Sequence, residues 1–126
     1  MAFVMDCNEF KILSSPVHHM IPTIGLRIEC KIPEKILAYS CDTEPCEQTV
    51  RLADGADILI HEAGGSSFGH SSAEQAGEIA TRAEVGKLYL IHYPTGRFAN
   101  GNIAAEASKT YKGEIIIAKD FMTIDI

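Results

Sequence analysis

With 126 residues, 46% of them apolar, the chain can bury one hydrophobic core and is too short for two independent ones. A formal net charge of −6 excludes an enveloping nucleic-acid surface and leaves room only for a local contact of that kind. No run of 18 apolar residues occurs, and MAFVMDCNEF carries neither a basic leader nor an apolar signal core; the four cysteines have no CxxC spacing. The chain therefore reads as cytoplasmic, free of membrane, with reduced thiols.

FKILSSPVHH and TIGLRIECKI read as two short strands, the second alternating and rich in β-branched residues, and KILAYSCD follows as an apolar run that stops at Asp42. Past Thr43 and Pro45, CEQTVRLADG has helical spacing and closes on Gly55. ADILIHEA is the next strand. Ser71 with Glu74 three residues on predicts a capping box for SAEQAGEIATRAEVG, whose Ala73, Ala76, Ile79, Ala80 and Ala83 form one apolar stripe ended by Gly86. KLYLIHY is a strand and NIAAEASKTYKG a helix ended by Gly113. EIIIAKDFMTIDI predicts a pair of strands with a turn near Asp120. No linker, repeat or low-complexity segment interrupts this order, so residues 1–126 form a single domain. Short apolar strands separated by helices specify an α/β fold with a largely buried parallel or mixed sheet.

The polar residues fall in a pattern. Asp42, His61, Glu62 and His92 each stand at the C-terminal end of a predicted strand, where open α/β sheets place their sites, and the loop bearing His70 can reach the same rim. His61 and Glu62 are adjacent on a strand and point opposite ways, which makes His61 a packed structural histidine. The same alternation allows only one of His18 and His19 to face the rim. Asp42 in SCDTEP also reads as a helix N-cap, and the two roles are compatible.

Five motifs in order carry a resemblance. HMIPTIGLRIE places His19 six residues before Gly25, and SCDT, IHEA, GHSS and LIH follow. Over residues 17–126 this resembles the C-terminal half of the metallo-β-lactamase fold, and within it the ribonuclease Z-like phosphodiesterases. The resemblance implies half of an αββα sandwich, a mixed sheet with helices on one face. It implies His19, Asp42 and His92 as metal ligands, with Asp42 bridging two zinc ions and manganese as the alternative metal. It implies His70 acting on the scissile phosphate, Glu62 orienting His70, and Arg97 as a further phosphate contact. Imidazole and carboxylate are good zinc donors, and a histidine held by a carboxylate is a sensible acid.

Three departures from the family's pattern bear on function. The H-x-H-x-D-H run of its N-terminal half has no counterpart in this sequence, which leaves two protein ligands per ion where a zinc site needs three or four. Cys41 stands where the family has glycine. Only CKIPEKI separates the GLRIE and SCDT strands, so the arm that grips transfer RNA is absent, favouring a small phosphodiester over a large RNA. The free sheet face of a half sandwich must also be covered, by a second copy in a homodimer or by a complementary N-terminal half. Two functions follow: a zinc-dependent phosphodiesterase whose site is incomplete in this chain alone, or a catalytically inactive half-domain.

Overall fold

The computed structural model describes residues 1–99 and 101–126. Seven strands build one sheet in simple chain order: β1 (Ala2–Asp6), β2 (Phe10–Val17), β3 (Thr23–Lys31), β4 (Glu34–Tyr39), β5 (Ile58–Glu62), β6 (Lys87–Ile91) and β7 (Glu114–Ile117). Neighbours from β1 to β4 are antiparallel, and those from β4 to β7 are parallel. The parallel strands are joined through α1 (Glu47–Ala53), α2 (Ala73–Arg82) and α3 (Ile103–Ser108), with a 3-10 turn at Gly96–Phe98. Parallel strands that step across a sheet in one direction, each by a right-handed crossover, carry all their helices on one face.

Packing follows that rule. Ala38, Leu59, Leu88 and Leu90 share a buried core with Ala73, Ala76, Ile79 and Ala80 of α2 and Ala107 of α3. Burying each of those leucines contributes about 1.5–3 kcal/mol. Small residues set the distances. A Cβ on Gly77 would lie 2.2 Å from Thr110 Oγ1 and 2.6 Å from the Ala107 carbonyl oxygen, so the glycine is what lets α3 lie against α2. At Gly25 a Cβ would lie 2.6 Å from Leu52 Cδ1, which brings α1 down onto β3.

Among the described residues the opposite face carries no helix. Strand register lines up Leu26, Tyr39, Ile60, Tyr89 and Ile116 in one row across it, and Ile12, Ile28, Leu37 and Ile58 in the next. Every residue of the first row is only half-buried.

Several sequence expectations are corrected. β1 was not anticipated; its five residues are all exposed and pair with β2 alone. The expected terminal strand pair is β7 only. The chain turns at Lys119–Met122, with Phe121 at φ +63°, and among the described residues no strand follows; Asp125 and Ile126 end beside Lys35, Ile58 and Lys87 on the helix-free face. The capping box sits one residue later than expected. Ser72 Oγ accepts from the Gln75 N–H at 3.1 Å, and Gln75 Oε1 accepts from the Ser72 N–H at 2.8 Å. Position 75 supplies the amide that reaches back, in place of Glu74. α2 ends before Gly86, its chain reversed by Glu84 at φ +54°, and Gly86 instead packs where a Cβ would meet the Asp57 carbonyl oxygen at 2.8 Å. The N-cap of α1 is Cys46, whose side chain makes no capping bond to the helix amides, and not Asp42.

Candidate metal centre

Four side chains meet beyond the C-terminal ends of β4, β5 and β6. Asp42 follows β4, His92 follows β6, His19 comes from the segment between β2 and β3, and His70 comes from the loop between β5 and α2. Asp42 is the hub: its Oδ2 lies 3.9 Å from His19 Nε2 and 3.7 Å from His92 Nε2. The His70 ring stands edge-on to His19 with centroids 5.0 Å apart, and stacks on His92 at 5.5 Å. One ligand atom each from Asp42, His70 and His92 fall within 4.8 Å of one another.

Beneath the cluster, Glu62 organises the rim. It is fully buried. Its Oε1 accepts from the Thr43 N–H at 3.0 Å and from His70 Nδ1 at 2.9 Å, and its Oε2 accepts from the Gly64 N–H at 2.8 Å. Three donors on one carboxylate satisfy a group that could not otherwise be buried. Thr43 Oγ1 accepts from the His18 N–H at 3.0 Å, and Ser71 Oγ donates to the Thr43 carbonyl at 2.7 Å, so the β4, β5 and His70 segments are laced together. His19 Nδ1 donates to the Gly69 carbonyl at 2.7 Å. With its Nδ1 donating to the Gly69 carbonyl, His19 turns its Nε2 to Asp42. A carboxylate ringed by imidazoles is the donor set of a zinc-type ion, so the residues present fit a metal.

His61 lies elsewhere. It pairs in register with Leu90 and shares the helix-side face with Leu59, fully buried, its Nδ1 donating to the Glu62 carbonyl at 2.8 Å and its Nε2 without a partner. Burial holds its imidazole below the ordinary histidine value. Arg97 sits exposed in the 3-10 turn, its guanidinium 4.9 Å above the Phe98 ring, and among the described residues no hydrogen bond or ion pair ties it to the cluster. Cys41, beside Asp42, adopts φ +52°. Burial pushes its thiol up from its usual value, against a hydrogen bond from Tyr39 and with the Asp42 charge adding.

Sequence reasoning missed the supports. Gly69, at φ +82°, has no room for a Cβ, which would stand 2.9 Å from His19 Nδ1; at Gly64 a Cβ would lie 3.2 Å from both Glu62 Oε2 and His70 Nδ1. The available signal was the pair of glycines in AGG and the glycine immediately before His70. Ser40, whose Oγ accepts from the Glu62 N–H at 3.1 Å, Thr43 and Ser71 fall inside the SCDT and GHSS motifs, but nothing in their spacing marks them as supports, because small hydroxyl residues are common in loops.

The fold and this rim are those of one half of a metallo-β-lactamase-type fold, and comparison with known proteins agrees. Residues 2–93 match the Beta-lactamase superfamily domain, and the chain belongs to that superfamily. Within it the lineage is ribonuclease Z-like: the chain is 36% identical over 128 aligned positions to ribonuclease Z of Methanothermobacter thermautotrophicus, an alignment covering 87% of this chain and 41% of that protein. Among solved structures, the metallo-beta-lactamase fold protein YhfI of Bacillus subtilis superposes with a TM-score of 0.81 at 29% identity, over 91% of this chain and 49% of that one. The short form of human tRNase Z superposes with a TM-score of 0.74 at 24% identity, over 98% and 46%, a likeness of fold. The chain thus spans less than half the length of each of these three proteins.

Proposed function

We propose that this chain carries one half of the active site of a metal-dependent phosphodiesterase, with zinc as the metal and manganese as the alternative. The observation that carries the reading is the convergence of His19, His70 and His92 on Asp42 above a buried Glu62. His19, Asp42 and His92 are the residues that would hold metal. A bound ion would supply Lewis-acid polarisation of the phosphoryl oxygen and an activated water. Glu62 fixes the His70 ring by its Nδ1 and stabilises the imidazolium, so that His70 hands a proton from Nε2 to the leaving oxygen. The turn between β3 and β4 is only Ile32 and Pro33, which favours a small phosphodiester over a large RNA as substrate. Four unpaired cysteines suit a reducing cytoplasm.

The test is metal content per chain, by elemental analysis of protein purified without chelator, for wild type and Asp42→Ala, together with hydrolysis of bis-p-nitrophenyl phosphate under added zinc or manganese. Near-stoichiometric metal lost in Asp42→Ala, with metal-dependent turnover, is the expected result. Metal-free protein without turnover in either form would leave the second reading, an inactive half-domain that pairs with a second copy or with a complementary N-terminal half. The helix-free sheet face favours that second reading, since such a face calls for a cover whether or not the chain turns over.

A further inference from the structure

Three large apolar side chains stay in water on the two loops that carry His19 and His70: Met20 is 58% exposed, Ile21 67% and Phe68 74%. Met20 follows His19 directly, and Phe68 stands two residues before His70. None of the three belongs to a strand, so they are not part of the helix-free sheet face. Their backbones are fixed. The His70 N–H donates to the Ser67 carbonyl at 3.0 Å, closing a turn with Phe68 and Gly69 at its centre, and Gly69 supplies the φ of +82° that a type II turn demands at its third position. This turn is seated on the other loop. His19 Nδ1 donates to the Gly69 carbonyl at 2.7 Å, and a Cβ on Gly69 would stand 3.1 Å from Met20 Cγ. The second loop is held from both sides, by Thr23 Oγ1 donating to the Ile21 carbonyl at 3.0 Å and by the Glu44 N–H donating to the His18 carbonyl at 2.7 Å.

We propose that Met20, Ile21 and Phe68 form an apolar lip that takes a flat aromatic ring carried by one ester group of a phosphodiester, and so select aryl or nucleoside esters over simple alkyl ones. The lip depends on the phosphodiesterase reading only for where the phosphate lies. Small-molecule sites combine a few polar groups that fix orientation with apolar walls that take the rest of the ligand, and an exposed apolar cluster on a fixed backbone beside a polar centre supplies such a wall. Reach agrees with this. An ester group hangs from phosphorus by one oxygen, and Met20 is one residue, about 3.8 Å of backbone, from His19. Phe68 offers a ring face or edge to an aromatic group, and the Met20 thioether makes favourable contacts with ring edges. A methyl or other small alkyl ester has no ring for either side chain to hold.

NMR of the full chain carrying methionine labelled at its methyl carbon reads the lip without turnover. Of the four methionines, Met20 reports from the lip and Met1, Met5 and Met122 lie outside it. Diphenyl phosphate, with added zinc, should move the Met20 methyl signal upfield through the ring current of the bound ring, and dimethyl phosphate should leave it in place. The dinucleoside phosphate thymidylyl-thymidine, added in the same way, decides whether a nucleobase serves as the ring or only a simple aryl group does. Phe68→Ala should weaken binding of diphenyl phosphate on the order of 10-fold, with Phe68→Tyr restoring it. Far-UV circular dichroism checks that both variants fold. A Met20 signal unmoved by millimolar diphenyl phosphate overturns the lip, as does equal movement of all four methyls. Hydrolysis of bis-p-nitrophenyl phosphate separates the lip from the reading beneath it. Turnover with Met20 unmoved keeps the phosphodiesterase and sinks the lip; a Met20 shift specific to the aromatic ester, without turnover, keeps the lip as a binding site and sinks the phosphodiesterase.

Discussion

Cys41 shows how one residue records the geometry of the rim. The chain must reverse between the end of β4 and Asp42, and it does so with Cys41 at φ +52°, a conformation that costs a residue with a Cβ about 1–2 kcal/mol. The glycine that the family places here avoids that cost, at some loss of unfolded-state entropy. Cys41→Gly should stabilise the protein by about 1 kcal/mol in urea denaturation; a loss of stability would mean that the thiol contributes packing that outweighs its strain. His61 makes a second residue-scale prediction. Its imidazole is buried neutral, and burial lowers its affinity for a proton, whereas the unfolded chain takes one up near pH 6.5. The unfolded state therefore binds more protons below that pH, and stability falls as pH drops from about 6.5 toward the lower folded-state value, with a slope of up to about 1.4 kcal/mol per pH unit. His61→Leu should remove this component, read as the difference between wild-type and variant denaturation curves at pH 7.5, 6.5 and 5.5. Parallel curves would show that His61 does not titrate differently on folding.

At the scale of elements, the decisive contact is between α2 and α3. α2 is capped reciprocally by Ser72 and Gln75, and its small-residue stripe meets the sheet through Ala73, Ala76 and Ala80. Gly77 supplies the contact with α3, with Thr110 Oγ1 donating across it to the Glu74 carbonyl. Gly77→Ala gains helix propensity worth about 1 kcal/mol but forces α3 outward, and overpacking of this kind costs about 1–3 kcal/mol. A net loss of stability is expected, seen as a lower thermal midpoint. A midpoint equal to or above wild type would show that α3 is not seated on Gly77. Because α2 begins just after Ser71, which is tied to Thr43, loosening this layer should also loosen the loop that carries His70.

The whole molecule is a two-layer structure with one face finished. Leu26, Tyr39, Ile60, Tyr89 and Ile116 cross the other face half-buried, and the C-terminal residues reach only the row below, beside the buried Ile58. Contiguous apolar patches are typical of interaction surfaces. We expect size-exclusion chromatography with light scattering at micromolar concentration to give a dimer of the chain, since two-fold pairing of identical faces is the commonest way to cover one. A stable monomer that binds no hydrophobic dye would sink that expectation; a monomer that does bind the dye would direct the search to a complementary half.

What the sequence determined by itself was local. Hydrophobic periodicity and turn residues specify six of the seven strands and all three helices, because each apolar run between breakers has one secondary structure that buries it. The order of those elements then puts Asp42, Glu62 and His92 at one edge, since parallel strands share a direction and their C-terminal ends coincide. β1 escaped because an exposed edge strand has no buried face to impose alternation, and the tail escaped because its apolar residues settle against a sheet face without ladder pairing. Tertiary structure alone decided the rest: that Arg97 stacks on Phe98, that the packed His61 keeps one ring nitrogen unpartnered among the described residues, and that His70 brings a ligand atom within 4.8 Å of those of Asp42 and His92. Side-chain convergence depends on loop backbones and on glycines such as Gly64 and Gly69, whose role is the space they leave empty. Sequence patterns register what a residue contributes, and an absent Cβ leaves a trace only once its neighbours are in place.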